Sequence, residues 1–204
     1  MPYTIERNVQ IVIYLLKVNG IKKVFACPGT TNLTFVASIQ NDSFFEIYSC
    51  VDERSAAYMA CGMAAESGEA VCLSCTGATA SRSFVPALTE AYYRKLPVIA
   101  ITSTQVKSHI GNLSPQTIDR SVIQNDISVC SVHLPIVKDS DDEYFCEVHA
   151  NKALCALQKN GGGHVHINLE TLYSSDFSVQ KLPPTRCMKM SRLTMNSPRK
   201  SVFA

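Results

Sequence analysis

The sequence predicts an α/β fold, a parallel sheet of about six strands with helices on both faces. Short apolar runs of strand length recur along the chain, and helix-like stretches separate most of them. At 204 residues, 46% of them hydrophobic and 18% charged, the chain has the length and composition of one ordinary globular domain, with room for a tail.

The elements follow in order. Thr4 is placed to cap a first helix whose apolar positions Ile5, Val9, Val12, Ile13 and Leu16 recur at helical spacing, and Gly20 is placed to end it after Asn19. Strands are expected at 24–26, 44–50, 70–75, 98–102, 132–137 and 164–169. Between the second and third lies a helix over 53–66, where Ala56, Ala57, Ala60, Cys61, Gly62, Ala64 and Ala65 put small residues on nearly every side. Something must approach it closely, either two packed neighbours or a twofold-related copy of the same helix. The run Gly161-Gly162-Gly163 precedes a strand and opens no helix, so it cannot set a helix N-terminus on a phosphate and reads as a hairpin-like linker. Periodicity stops after Leu169. Residues 1–180 form the expected domain, and 181–204, with Pro183-Pro184, Pro198 and scattered basic residues, are expected to be a linker or the start of a further domain.

Charge and cysteine usage narrow the partners. The formal charge is +2, and the 19 Lys and Arg form no basic stripe, so no nucleic acid is expected. No apolar run approaches the roughly 20 residues of a membrane helix, and the N-terminus lacks a signal-peptide pattern, so the expected setting is cytoplasmic, away from membranes. Nine cysteines, an odd number, fall at positions such as Cys27, Cys50, Cys61 and Cys155 inside apolar elements, as reduced core thiols do. Cys72 and Cys75 form a C-x-x-C, but three residues apart on a strand they face opposite sides, and Cys130, Cys146 and Cys187 offer no second pair. His164 and His166 share a face. With no third ligand at suitable spacing they read as structural, and no metal site is expected in this chain.

In open α/β sheets ligands sit beyond the carboxyl ends of the strands. Three loops should line that rim: Cys27-Pro28-Gly29-Thr30, Val51-Asp52-Glu53-Arg54-Ser55 and Thr76-Gly77-Ala78-Thr79. Taken alone, Glu53 is explained by the preference of acidic residues for the first helical turn, and Gly29 and Gly77 serve equally well as turn residues.

Taken together, the run from Val51 to Ala57 continuing through Ala60 and Gly62, then Cys75 to Thr79 and Pro86 to Ala91, resembles the pyrimidine-binding domain of thiamine-diphosphate enzymes. Within that family it is most similar to the acetolactate synthase group and the menaquinone-pathway succinyl-enolpyruvyl synthases. Gly111-Asn112 with Gln116 matches the family's glycine and glutamine loop, and Gly163 to Asn168 resembles the segment that closes the domain. The resemblance covers about residues 4 to 180. It implies the thiamine-diphosphate-binding fold and makes Glu53 catalytic: the family's glutamate hydrogen-bonds N1′ of the cofactor's aminopyrimidine, creating a base beside the thiazolium C2, whose carbanion attacks a small 2-keto acid. Such a carboxyl should be buried, with a raised pKa. By the same resemblance Pro28, Gly29 and Gln116 reach the cofactor's reacting end or the substrate in the neighbouring subunit's site, and Thr76, Gly77, Thr79 and Ser83 lie near the aminopyrimidine.

Two departures stand out. Ala78 replaces a glycine, which denies the loop easy positive φ, and Ser83 stands where the family has asparagine. Arg82 adds a charge that either selects an acidic substrate or points to solvent. The family holds Mg²⁺ and the diphosphate with a second domain opening on Gly-Asp-Gly, and no Gly-Asp-Gly occurs here. The expectation is therefore a fragment or a split-enzyme subunit, acting in a homodimer or tetramer with a diphosphate-binding domain. Two alternatives stand beside it: a non-catalytic nucleotide-binding or regulatory α/β domain, unsupported by any glycine-rich phosphate motif, and a degenerate pyrimidine domain retained as a structural or interaction subunit.

Overall fold

The computed structural model describes residues 2–120 and 122–188. It is a six-stranded, all-parallel sheet with strand order β2-β1-β3-β4-β6-β5. In chain order the elements are α1 (Arg7–Val18), β1 (Lys23–Ala26), α2 (Leu33–Gln40), β2 (Glu46–Ser49), α3 (Glu53–Ser67), β3 (Val71–Thr76), α4 (Ala80–Ser83), α5 (Val85–Tyr93), β4 (Val98–Thr104), β5 (Cys130–Leu134), α6 (Ser140–Ala156) and β6 (Val165–Glu170). Short 3₁₀ turns over Thr30–Asn32, Lys107–His109 and Lys159–Gly161 complete it.

The sheet separates two apolar cores, as parallel sheets require. On one face α1, α2 and α6 bury Ile11, Leu15, Phe35, Ile39 and Leu154 against Ile99, Ile101 and Ile167. On the other, α3 and α5 bury Ala57, Ala60 and Ala87, with Phe84 at the junction of α4 and α5, against Leu73, Val98 and Ala100. Cys72 belongs to the first core and Cys75 to the second, the opposite-face placement their spacing predicts. The small residues of α3 are explained by close packing on α5 and β3. Their outer side is a different matter: Tyr58, Met59 and Gly62 remain exposed. Among the described residues no helix is long and apolar enough to cross a membrane.

All six expected strands form, with shifted ends. Residues 44–45 are not in β2, because Asp42 holds them in a turn: its carboxylate accepts the Phe44 N–H at 3.0 Å and its carbonyl that of Phe45 at 3.1 Å. β5 begins earlier and stops at Leu134, before Pro135, which has no N–H for the ladder. The first helix is capped at Glu6 rather than Thr4, whose hydroxyl instead accepts the Glu6 N–H at 3.3 Å. It ends as expected at Gly20, φ +72°, where Gly20 N–H bonds to the Lys17 carbonyl and Ile21 N–H to that of Leu16. The three glycines before β6 all have positive φ and are no hairpin, since β6 runs parallel to both its neighbours. Residues 181–188 lie along α1 and α6: Leu182 and Thr185 are buried, and Arg7 donates to the Pro184 carbonyl at 2.9 Å. The remainder of the expected linker, 189–204, is outside the described residues.

Candidate functional site

The order β2-β1-β3 puts the chain's change of direction between β1 and β3, so the loops leaving these strands part above the sheet at the point where open α/β sheets bind ligands. Asp52 caps α3, its carboxylate accepting the Ser55 N–H at 2.8 Å, and this sets Glu53 as the first helical residue at that crevice. Glu53 is half-buried. Burial and then the Glu53 charge push the Cys27 thiol up to about 12, and Glu53 also helps hold Cys75 well above its ordinary value. Its carboxylate therefore stands over the ends of β1 and β3. No hydrogen bond to a described residue engages it.

The first and third loops are packed onto one another. A Cβ on Gly29 would collide with the Thr76 side chain. Gly29 has an extended backbone, so close approach rather than left-handed φ asks for glycine there. Gly77 is the same case: its N–H bonds to the Ser103 carbonyl at 2.5 Å, and a Cβ would lie 2.5 Å from Arg120 and 2.6 Å from that carbonyl. Ala78 is buried and has no positive φ, so the alanine leaves no strain; Thr79 is helical and the chain runs straight into α4. Pro28 and Thr79 are exposed, Thr76 and Ser83 half-buried. The structure thus sets Gly29 against Thr76 and Glu53 close to Cys27 and Cys75 at the carboxyl ends of β1 and β3, with Pro28 exposed beside them, Gly77 buried against Ser103, and Thr79 and Ser83 leading away along α4. Gln116 is exposed on a separate loop with φ +56°.

Asn32 was invisible in the sequence, yet it pins the first loop. Fully buried, it accepts the Gly29 N–H at 2.8 Å and donates to the Cys27 carbonyl and the Ser74 hydroxyl, each at 3.1 Å. A polar chain also runs across the sheet from β5 to Arg120. Arg120 donates to Asn168 Oδ1, which turns the Asn168 amide nitrogen toward His133 Nδ1 at 2.9 Å, so the His133 proton sits on Nε2 and points at Glu170, 3.0 Å away. Burial alone would raise Glu170, but hydrogen bonds from His133 and from the Lys107 and Ile136 N–H groups outweigh it and hold the carboxylate low. His164 and His166 are satisfied within the sheet: His164 Nδ1 donates to the Val98 carbonyl at 3.0 Å, and His166 bonds the Thr102 and Ser131 hydroxyls at 2.7 and 2.9 Å. Arg82 is exposed and donates to the Asp119 carbonyl at 3.2 Å.

Residues 7–130 match the family described as thiamine pyrophosphate enzyme, N-terminal TPP binding domain. The chain is 34% identical over 187 residues to 2-succinyl-5-enolpyruvyl-6-hydroxy-3-cyclohexene-1-carboxylate synthase of Bacteroides thetaiotaomicron, covering 90% of this chain and 33% of the relative. The Phocaeicola vulgatus protein of the same name is 33% identical with the same coverage. The chain thus spans about a third of the length of the curated relatives it matches. Among solved structures, the thiamine diphosphate-dependent 4-hydroxybenzoylformate decarboxylase of Rhodococcus jostii RHA1 superimposes with a TM-score of 0.69 at 22% identity, over 87% of this chain and 32% of that one. Benzoylformate decarboxylase from Polynucleobacter necessarius gives 0.70 at 18% identity, over 92% and 33%. These two show the fold.

Proposed function

The chain belongs to the thiamine pyrophosphate enzymes, as their N-terminal TPP-binding domain, and from that premise we propose that it activates thiamine diphosphate through Glu53, in a protein that decarboxylates or ligates a small 2-keto acid as a lyase or transferase. The observation that carries the reading is the Glu53 carboxylate, half-buried at the crevice between the β1 and β3 loops and engaged by no described residue. Such a group is available to hydrogen-bond a ring nitrogen and to share its proton. The fit extends to the loops, where Gly29 lets the first loop close on the Thr76 side chain and Gly77 lets the third close on the Ser103 carbonyl, neither adding a side chain of its own.

In this reading Glu53 holds a proton at N1′ of the aminopyrimidine, Thr76, Gly77, Thr79 and Ser83 pack beside that ring, and Pro28, Gly29 and Gln116 border the reacting end. When bound, the cofactor supplies the electron sink for cleaving or forming a bond next to a carbonyl. A diphosphate-binding domain or subunit outside this chain holds Mg²⁺ and the diphosphate. The synthase reaction named for the curated relatives is the specific form proposed for the whole protein, in the cytoplasm. The exposed face of α3, with Tyr58 and Met59 beside Gly62 and a wholly exposed Val51 ahead of them, supports assembly as a homodimer or tetramer through this helix. Sedimentation at micromolar concentration should show a dimer, and a monomer at every concentration would remove that part of the proposal.

The test of Glu53 uses the chain together with its diphosphate-binding partner. Thiamine diphosphate and Mg²⁺ are titrated against wild type and Glu53→Gln, with exchange of the cofactor's C2 proton followed by NMR. The proposal expects the variant to bind the cofactor and to exchange C2–H at least about a hundredfold more slowly, the usual worth of a positioned acid–base group. Equal exchange rates would reduce Glu53 to a helix-start carboxylate and the domain to a structural partner.

A further inference from the structure

A cationic pocket lies off the rim, on the sheet face beneath α4. A pocket of about 40 Å³ is lined by Arg82, Arg120, Gln124 and His164, with Leu88 and Ile127 among its apolar walls. Arg120 is 6% exposed; one N–H goes to Asn168, and its Nε and Nη1 have no partner among the described residues. The charged neighbour that acts on it is Arg82, and Cys75 beside it is a thiol held well above its ordinary value, so neither supplies a carboxylate. A buried guanidinium facing a second one is a costly arrangement unless something negative joins it. His164 adds the opposite need. Its Nδ1 proton is committed to the Val98 carbonyl, so Nε2, also buried and without a partner among the described residues, presents a lone pair. Burial pushes this histidine down to about 4, so it stays neutral near pH 7.

The occupant must therefore accept hydrogen bonds from Arg120, carry negative charge and donate one hydrogen bond to His164. A cavity needs about 10–15 Å³ to admit one water, so this pocket takes a group of only a few heavy atoms. Water meets the two hydrogen-bonding needs but not the charge; a halide or a simple carboxylate meets the charge but has no proton for His164. We propose that this pocket binds a small monoanionic oxyanion carrying one O–H, of the hydrogencarbonate class, between Arg120 and His164, with Arg82 at its mouth. The inference does not depend on the role of Glu53.

The probe is sodium hydrogencarbonate at pH 8, added to the ¹⁵N-labelled 204-residue chain, with sodium formate and sodium chloride at equal ionic strength as comparisons. The readouts are the Arg120 Nε–H resonance and the amides of Ile123 and Ile127. Hydrogencarbonate should shift them saturably and bind about tenfold more tightly than formate, the worth of one hydrogen bond. Arg120→Gln should abolish the saturable shift, and Arg82→Gln, at an exposed position that should leave folding intact, should weaken binding several-fold. If Arg120→Gln fails to fold, the three-salt comparison and Arg82→Gln decide alone. Hydrogencarbonate acting no differently from chloride would assign the pocket to water and overturn the proposal, as would undiminished affinity in either variant.

Discussion

Gly62 and Gly77 are spelled alike and should respond oppositely to the same substitution. At Gly77 a Cβ would meet the Ser103 carbonyl at 2.6 Å and Arg120 at 2.5 Å, and the carbonyl is backbone that cannot swing away. Gly77→Ala should cost about 1–3 kcal/mol, the usual penalty of overpacking, read from urea denaturation. Gly62 sits inside α3 with nothing within 4 Å of a Cβ, so Gly62→Ala should stabilise the isolated chain by about 0.5–1 kcal/mol through helix propensity. If Gly62→Ala also disrupts the dimer in sedimentation, the neighbouring surface approaches at that residue. The sequence placed both glycines in the right elements but could not distinguish them, because the neighbours that decide lie on other strands. Asn32 and Arg120 escaped notice for the same reason: each is one polar residue in an irregular segment, and only the fold reveals its partners. The place of Glu53 at the start of α3 was readable because an acidic residue there suits the first helical turn.

At the scale of elements, α3 shows how much periodicity and caps can fix. Asp52 and Gly68 bound the helix, and Gly68 is left-handed, φ +68°, with open space around it. Gly68→Ala should therefore cost about 1 kcal/mol for the backbone conformation alone, while Gly68→Asn should cost less, since asparagine tolerates that region; thermal melts of the two variants compare them. Strand existence was legible from apolar runs, whereas strand ends were not. The Asp42 turn removes two apolar residues from β2, and the apolar run at 132–137 extends through Pro135, Ile136 and Val137, beyond the point where the proline ends the strand. Strand order was hidden as well. Nothing local tells β6 to enter between β4 and β5, where its His166 meets Thr102 on one side and Ser131 on the other.

That insertion has a consequence for the whole molecule, because it buries two imidazoles in the middle of a sheet. Burial lowers His164 to about 4 and, with Arg120 nearby, lowers His166 well below 6.5. Both are neutral in the fold near pH 6, while in the unfolded chain each takes up a proton below about 6.5. The unfolded state then binds more protons, so the stability these histidines contribute is full above pH 6.5 and is lost as pH falls toward 4. Each should remove about 1.4 kcal/mol per pH unit through that window. Glu6, raised by burial, works in the opposite sense at the acid end, and Glu170, held low, adds its own loss as pH falls through the ordinary carboxylate range and below it. Urea denaturation of the chain at pH 7, 6 and 5 should show stability falling with a slope of about one to two protons. In His164→Gln that slope should drop by about one proton whatever the variant's stability at pH 7, and an unchanged slope would mean that His164 is already protonated in the fold, with the bond to the Val98 carbonyl outweighing the burial that holds it down to about 4.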